Sequence, residues 1–346
     1  MHMVIDVHCH FTSPPAAMDT YRAGQIARGP HGPGFNAASL SDEAIADALG
    51  KRQLPAMDAK GISQAIFSPA AYSMGHHFGS ETVVRNWTTA SNDLIQRACA
   101  LFPGRLIPSC QLPQSPGVPP ERWLDELEFR VNSQGFVGCN INPDISGGVA
   151  PLTPSVADEW WYPLYAKLEE LQVPAHFHAS ATQNPAFHFN GVNYTAWDHA
   201  CAFDIMWAAD RIFRDFPRLK LVITHGGGAF LLQYNRMRAL FDKAGKDYDS
   251  VLRRVHWDMA VYEQETMQTM VKLVGVDSLV YSCEMCGTAD VVDKRTGRKF
   301  DDTLPLVRAL GLTAAEESKI LVDNAKALFS RAFSSESFRT DGVTVA

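Results

Sequence analysis

The sequence lacks the features that mark nucleic-acid-binding and membrane proteins. It has no run of basic residues, and 31 Lys and Arg against 38 Asp and Glu give a net charge of -7. This balance argues against a nucleic-acid partner and against a polybasic membrane-binding patch. No window approaches the roughly 18 consecutive apolar residues of a membrane span. The expected partner is therefore a small molecule.

Signals for secretion are missing as well. The beginning of the chain has no cationic stretch followed by an apolar stretch, which is the pattern of a signal peptide. The seven cysteines are an odd number and are scattered along the chain, unlike the disulfide framework of a small secreted domain. Both features favour a cytoplasmic protein with reduced thiols. Hydrophobic residues make up 46% of the 346 residues, enough to bury a large core.

Short apolar runs alternate with amphipathic segments along the whole chain. We predict eight strands, at 3–11, 64–70, 105–112, 136–143, 173–180, 219–226, 255–262 and 278–284. Helical patterns lie between them, at 42–60, 82–102, 120–133, 154–171, 195–216, 229–244, 263–274 and 305–310. Eight strands that are each followed by a helix predict a (β/α)8 TIM-type barrel, with a doubly wound open sheet as the alternative.

Polar residues at the ends of the predicted strands favour the barrel. They lie near the C-terminal ends of separate strands: His8, His10, Asn140, Asn142, His176, His178, His225, Asp258 and Glu284. A barrel gathers these ends on one face, where barrel enzymes build their active sites, whereas an open sheet spreads them along a line. Two aperiodic stretches, 12–41 and 182–197, are interpreted as loop insertions over this face. We predict one metal-dependent domain at 1–333 and a polar C-terminal tail at 334–346.

The first predicted strand, VIDVHCHF, contains two histidines two residues apart. Residues i and i+2 of a strand project from the same face, so His8 and His10 point into one space. Catalytic zinc sites use about three His, Asp or Glu ligands and leave one position for water. These histidines could supply two of the ligands. Two core or hydrogen-bonded histidines are the alternative interpretation.

The segment PAHFHAS offers a second pair, His176 and His178. His178 is the better candidate for a third metal ligand because it lies nearer the C-terminal end of its strand, where the mouth of the barrel is expected. His176 is interpreted as a deeper, hydrogen-bonded core residue, and contact with the substrate is its functional alternative.

Two later strands end in residues that suit acid–base chemistry. His225 precedes three glycines, which could serve the turn alone; otherwise His225 hydrogen-bonds a substrate carbonyl or carboxylate, or transfers a proton. Glu284 is costly to bury unless it meets a cation, so it is a candidate metal ligand, general base, or both. Cys283 and Cys286 have no second thiol pair at a suitable spacing and are interpreted as packing residues.

Motifs over most of the chain resemble the amidohydrolase superfamily. IDVHCHF, PAHFHAS, KLVITHGGG, the late acidic residue and the closing NAKALF are similar to its aminocarboxymuconate-semialdehyde decarboxylase-like branch. Within that branch, the segments FSPAAYSMGHHFG, GFVGCNINPDISGG, HGGGAFLLQYNRMRAL and SCEMCGTADVVDKRTGRKFDDT resemble the 4-oxalomesaconate hydratases, zinc enzymes of bacterial aromatic catabolism.

The resemblance implies roles for individual residues. Zinc, or another divalent metal such as Mn2+, would be held by His8, His10, His178 and Glu284, and Glu284 would also handle a proton. The substrate would be bound or polarised by His225, Tyr194 and Arg236. Decarboxylases of this branch have an aspartate at the position of Glu284, so the glutamate sides with the hydratases. Ala70 stands where the hydratase pattern has an arginine, which removes one carboxylate clamp.

Two reactions fit these residues. The first hypothesis is a hydratase that adds water to the double bond of a small unsaturated oxo-carboxylate. The second is a non-oxidative decarboxylase of an aromatic or muconate-type acid. A metal-binding module without catalysis would not explain polar residues that converge from several strand ends. The sequence leaves the formation of a homo-oligomer open.

Overall fold

The computed structural model describes residues 3–29, 39–70, 75–148, 150–180, 193–287 and 289–334. The strands are β1 (Ile5–Phe11), β2 (Gln64–Pro69), β3 (Leu106–Pro108), β4 (Cys110–Gln111), β5 (Cys139–Ile141), β6 (Ala175–Phe177), β7 (Leu221–Ile223), β8 (His256–Asp258) and β9 (Leu279–Val280). The helices are α1 (Ala16–Arg28), α2 (Asp42–Lys51), α3 (Gln53–Lys60), α4 (Glu81–Leu101), α5 (Leu124–Gln134), α6 (Tyr162–Leu171), α7 (Asn193–Trp207), α8 (Ala209–Asp215), α9 (Tyr234–Lys243), α10 (Tyr248–Leu252), α11 (Gln264–Val274), α12 (Leu304–Arg308), α13 (Ala314–Ser318), α14 (Asn324–Leu328) and α15 (Ser330–Phe333).

The strands form a ring of eight. β1 to β3 pair in order, β4 to β9 pair in order, and these pairings are parallel. β3 and β4 are two halves of one strand that are separated by Ser109, whose N–H donates to the Phe67 carbonyl on β2. The Val7 N–H donates to the carbonyl of Tyr281, directly after β9, at 3.1 Å and joins the two ends. The prediction of a (β/α)8 barrel is confirmed.

Apolar side chains fill the barrel axis beneath the mouth. One group from several strands packs against the last helices: Ile5, Val7, Ile66, Val137, Val222, Val280, Ala325, Leu328 and Phe329. All seven residues of β1 are buried, as expected for a strand covered on both faces. Because the axis is filled in this way, polar chemistry is confined to the C-terminal ends of the strands.

The eight predicted strands are confirmed, and each is shorter than predicted. Regular pairing ends early because the chain turns away into the mouth, where His225 and Glu284 have positive φ angles of 51° and 47°. The helix predicted over 42–60 is two helices, because Arg52 leaves the helical conformation at φ -138°, ψ -60°. None of the helices in the described ranges combines the length and apolar character that a membrane span requires.

The interpretation of 12–41 as a loop was wrong for its middle part, which forms α1. This helix buries a narrow face, so its periodic signal is weak. Its packing on α4 stabilises it: the Arg22 guanidinium lies 5.0 Å from the centre of the Trp87 ring, and the Tyr21 ring lies 6.1 Å from it. Tertiary contacts of this kind supply most of the stability of short helices.

Parts of three predictions lie outside the described residues. They are 30–38 in the first predicted mouth loop, 182–192 in the second, and 335–346 in the predicted tail. The second stretch ends in α7, whose backbone begins at Asn193. The domain boundary at 333 stays a prediction.

Candidate active site

An irregularity in β1 places the first two histidines. The pairing of β1 with β2 shifts its register between Asp6 and Cys9, and the Asp6 carboxylate accepts the His8 N–H at 2.9 Å. Burial raises the pKa of Asp6 to about 7. The side chain thus replaces a strand partner at the point where the chain presents His8 and His10 to the mouth.

Three buried imidazoles converge at the mouth end of the barrel. His8 and His10 come from β1, and His178 follows β6. The Nε2 atoms of His8 and His10 are 2.8 Å apart, and those of His10 and His178 are 3.1 Å apart. The structure therefore brings together the three histidines that the sequence offers as metal ligands.

The other nitrogen of each ring lies against an oxygen acceptor. Nδ1 lies 2.7 Å from Asp258 Oδ2 in His8 and 2.7 Å from the Ala179 carbonyl in His178. In His10 it lies 2.8 Å from the Ser68 hydroxyl and 3.1 Å from the Pro69 carbonyl. Carbonyl and carboxylate oxygens accept hydrogen bonds, so Nδ1 carries the proton in His8 and His178, and in His10 it can donate to the Pro69 carbonyl in the same way. Each Nε2 then presents a lone pair to its neighbours, the tautomer that metal-binding histidines adopt.

The donor set fits a divalent metal. Burial lowers the pKa of all three imidazoles below the ordinary value, so the rings are neutral. Three neutral rings whose lone pairs face one another at 2.8 and 3.1 Å repel unless a cation lies between them. Imidazole nitrogens with a nearby carboxylate suit zinc and similar borderline metals.

Glu284 and His225 complete the cluster. The potential ligand atoms of His8, His178, His225 and Glu284 all lie within 4.8 Å of one another. Glu284 Oε2 is 3.7 Å from His225 Nε2. Both residues have left-handed backbone conformations, which are rare outside glycine and are concentrated at functional sites.

The glycines after His225 also serve the turn. A Cβ atom on Gly227 would lie 2.6 Å from an atom of the Trp257 ring, and this residue has a φ of +72°. Glycine is required there by both packing and backbone conformation. The turn and the proposed role of His225 are compatible, because the turn fixes the direction in which the imidazole points.

Two residues of the site were missed by sequence reasoning. Asp198, on α7, lies with its Oδ2 2.8 Å from His225 Nδ1, and the Tyr262 hydroxyl donates to Glu284 Oε2 at 2.6 Å. Tyr262 lies four residues after Asp258 on a predicted strand, so a search for hydroxyls at strand ends could have found it. Nothing in the sequence marks Asp198, because it reaches the site from a helix.

The surroundings of His225 and Glu284 shift the pKa values of the two groups in opposite directions. Burial lowers the pKa of His225, but the negative charges of Asp198 and Glu284 outweigh it and raise this pKa well above its ordinary value. Burial raises the pKa of Glu284, but its interaction with His225 outweighs burial and holds this pKa well below its usual range. The pair is a protonated imidazole beside an ionised carboxylate, as in sites that need both an acid and a base.

His176 lies deep in the core, as the sequence interpretation expected, but the expected hydrogen bond is not found among the described residues. It is buried, its ring centre lies 6.2 Å from that of His8, and it stacks at 5.7 Å on Phe329. Neither ring nitrogen has a hydrogen-bond partner among the described residues. The reason is its depth in the barrel, where apolar side chains replace polar neighbours. A contact of His176 with the substrate stays a prediction.

The described contacts do not place the other predicted substrate residues, Arg236 and Tyr194, in the cluster. Arg236 is exposed on α9 and forms no ion pair with a described residue. The nearby Asp242 carboxylate lies 3.9 Å from the Nε of Arg238, on the same helix. The side chain of Tyr194, on α7, lies outside the described part of the chain. Ala70 is buried and lines an apolar recess.

The cysteines take no part in this cluster. All seven are free and buried, including Cys283 and Cys286, which pack in the main core. Burial raises the pKa of both thiols above the ordinary value. Neutral, packed thiols are poor metal ligands, which agrees with their interpretation as packing residues.

Comparison with known protein families identifies the class. The family model described as "Amidohydrolase" matches residues 5–331. The chain therefore belongs to the amidohydrolase family, and the resemblance noted in the sequence is confirmed.

Individual relatives narrow the comparison. A 2-keto-4-carboxy-3-hexenedioate hydratase of Sphingobium sp. (strain NBRC 103272 / SYK-6) is 36% identical over 334 residues, covering 96% of this chain and 97% of the relative. The crystal structure of a 4-oxalomesaconate hydratase from Rhodopseudomonas palustris is 34% identical, with a TM-score of 0.85 and coverage of 95% and 96%. A gamma-resorcylate decarboxylase of Rhizobium sp. (strain MTP-10005) is 26% identical over 189 residues, 51% of this chain and 54% of that protein.

Proposed function

We propose that the chain is a metal-dependent hydratase that adds water to the double bond of a small unsaturated oxo-carboxylate of the 4-oxalomesaconate type. The observation that carries the proposal is the Glu284 carboxylate, 3.7 Å from the His225 imidazole beside three converging histidines. The identity of 34–36% with two hydratases over nearly the whole chain supports it.

The metal would be held by His8, His10, His178 and Glu284, and we propose zinc, with Mn2+ as the alternative. When bound, it would polarise a substrate oxygen or lower the pKa of a bound water toward about 7. Asp258 holds the ring of His8 in the tautomer that binds metal, at 2.7 Å.

The substrate of the Sphingobium relative defines where the proton and the hydroxyl go. Its name describes a ketone at C2 conjugated to a double bond between C3 and C4. Conjugation makes C4 the electrophilic carbon, so the hydroxyl of water adds there and a proton is delivered to C3. Glu284, which is ionised, accepts the proton that water loses, while the Tyr262 hydroxyl orients its carboxylate. His225, held protonated by Asp198, donates a proton to the substrate.

Reversibility distinguishes hydration from decarboxylation. Hydration consumes a conjugated double bond without loss of carbon, so the hydrated product offered alone should regain the absorbance of the conjugated acid. A decarboxylase would release carbon dioxide and show no such return. The measurement follows ultraviolet absorbance and carbon dioxide together, first on unsaturated oxo-acids and then on dihydroxybenzoates. Gas release from a dihydroxybenzoate without hydration of any oxo-acid would contradict the proposal.

Arg236 is proposed to bind a substrate carboxylate. Arg236→Lys keeps the charge but loses the planar fork, so we expect a raised KM with kcat largely retained. The matched control is Arg238→Lys, because Arg238 is on the same helix and forms surface ion pairs with Asp242 and Asp249. Steady-state kinetics of the two variants provide the test. An unchanged KM for Arg236→Lys would contradict the proposed contact of Arg236 with a substrate carboxylate.

A further inference from the structure

A second group of polar side chains lies at the mouth, apart from the metal cluster. Arg22 is on α1, which follows β1, and His76 lies in the segment that follows β2. Both segments leave the C-terminal ends of strands, so they lie on the face that carries the active site. The group is compact, because Arg22 Nη2 donates to the carbonyl of Gly75, the neighbour of His76, at 3.1 Å.

Arg22 is a cation with unused hydrogen-bonding capacity. Its Nη1 is buried and has no hydrogen-bond partner within the described ranges, where no Asp or Glu forms an ion pair with it either. One face of the guanidinium lies on Trp87. Burial lowers its pKa to about 10, so the group stays charged at neutral pH. The guanidinium is half-buried, and a charge in that position without a counter-ion among the described residues would be stabilised by an anion from outside the chain.

His76 adds an unpartnered donor to the same place. It is 1% exposed, and both of its ring nitrogens are buried without a hydrogen-bond partner in the part of the chain that is described. Burial, and then the charge of Arg22, lower the pKa of His76 to about 3, so its ring is neutral and carries one N–H. Buried N–H groups are nearly always paired, so this one indicates a missing acceptor.

A cavity lies next to this group, at the residue that follows His76. His77, the next residue, lines a cavity of about 340 Å³ together with Ser115 and Ser146, which follow β4 and β5. Its walls therefore come from the mouth loops of several strands. Burial lowers the pKa of His77, and the nearby Asp144 carboxylate opposes this shift without reversing it, so the ring is neutral. Glu81 also lines the cavity, so an anionic group is expected toward Arg22 and His76, which are not among the lining residues.

We propose that Arg22 and His76 form an anion-binding subsite for a carboxylate group of the substrate that is distant from the reacting double bond. The unpartnered Nη1 of the guanidinium and the imidazole N–H would each donate to one oxygen of the same carboxylate, and the bond from the guanidinium would be charge-assisted. The identity of the substrate rests on the proposed function, whereas the preference for carboxylates rests on the subsite itself.

A binding measurement tests the subsite without turnover. The probe is tricarballylate, a saturated tricarboxylate, titrated calorimetrically into the purified protein and its variants. We expect Arg22→Gln to weaken binding at least 10-fold, because hydrogen bonds to charged groups are lost, and Arg22→Lys to weaken it less. His76→Phe, which removes the ring N–H, should weaken it several-fold. The control is Arg105→Gln, since Arg105 pairs with the exposed Asp58. Wild-type affinity in Arg22→Gln would overturn the proposal.

Kinetics separate the failure of the subsite from the failure of the proposed function. With a tricarboxylate oxo-acid, Arg22→Lys should raise KM more than it lowers kcat, and the effect should shrink below 2-fold with an analogue that lacks the distant carboxylate. Equal effects on both substrates would overturn the subsite alone. Binding of tricarballylate that depends on Arg22, in a protein that hydrates no oxo-acid, would overturn the proposed function and support the subsite.

Thermal unfolding distinguishes binding from a structural role. Because Arg22 is half-buried and forms no ion pair with a described residue, Arg22→Gln should leave the Tm unchanged or raised in the absence of ligand. It should also abolish the rise in Tm that tricarballylate causes in the unmodified protein. A large drop in Tm with an unchanged ligand-induced rise would make Arg22 a structural residue. If Arg22→Gln does not fold, the same measurements are made on Arg22→Lys. A rise in Tm with tricarballylate as large as in the unmodified protein, together with an unaltered KM, would then overturn the proposal.

Discussion

Glu284→Gln is expected to lower turnover about 100- to 10,000-fold, the usual cost of losing a general base. Glutamine keeps the size of the side chain and can still accept the hydrogen bond from Tyr262, but it cannot take a proton from water. Part of the metal should remain, held by the three converging histidines. The measurement combines the rate of loss of conjugated absorbance with elemental analysis of the same preparation.

The matched control for this variant is Glu265→Gln. Glu265 is an exposed glutamate in the first turn of α11, so its amide variant should retain normal turnover. A second comparison is Asp198→Asn, which leaves Glu284 intact but weakens the support of His225. Near-normal turnover of Glu284→Gln would reduce this residue to a structural neighbour, and proton transfer would pass to His225 or His176.

The double variant His8→Ala/His10→Ala is expected to lose the bound metal. We expect the unmodified protein to carry about one divalent ion per chain, because the donors form a single convergent set. Removing two of the four proposed ligands, including the one oriented by Asp258, should bring the content close to zero after dialysis. Elemental analysis provides the stoichiometry, and circular dichroism shows whether the barrel remains folded.

His256→Gln is the control for metal loss. His256 is the first residue of β8, two residues before Asp258, so it lies deeper in the barrel than the mouth. It should retain the metal. Full retention of metal in the His8→Ala/His10→Ala variant would contradict the proposed ligand set.

The positions of most candidate residues could be predicted because strand geometry is local. The period of two in β1 puts His8 and His10 on one face, and the parallel direction of the strands puts His178, His225 and Glu284 at the same end. Neither inference needs a contact between distant segments. The exact ends of the strands could not be predicted, because the chain leaves the sheet through unusual backbone conformations at His225 and Glu284.

Residues that act through a partner were harder to find. Asp198 and Arg22 reach the mouth from helices, and the helical period says which face is buried but not which group it meets. α1 itself escaped prediction because its stability comes from packing on Trp87 rather than from its own sequence. The lack of a hydrogen-bond partner for His76 among the described residues is likewise a property of its surroundings.

The sequence by itself therefore determined the alternation of strands and helices, the barrel, and the set of imidazoles and the carboxylate at its mouth, because these follow from short periodic patterns. Only the tertiary structure decided the proton states and the support of that set. Whether a nitrogen carries a proton depends on the nearest oxygen, as for His8 beside Asp258, and the charge on His225 depends on Asp198 and Glu284. These neighbours are up to 250 residues apart in the chain, so folding alone brings them within hydrogen-bonding distance.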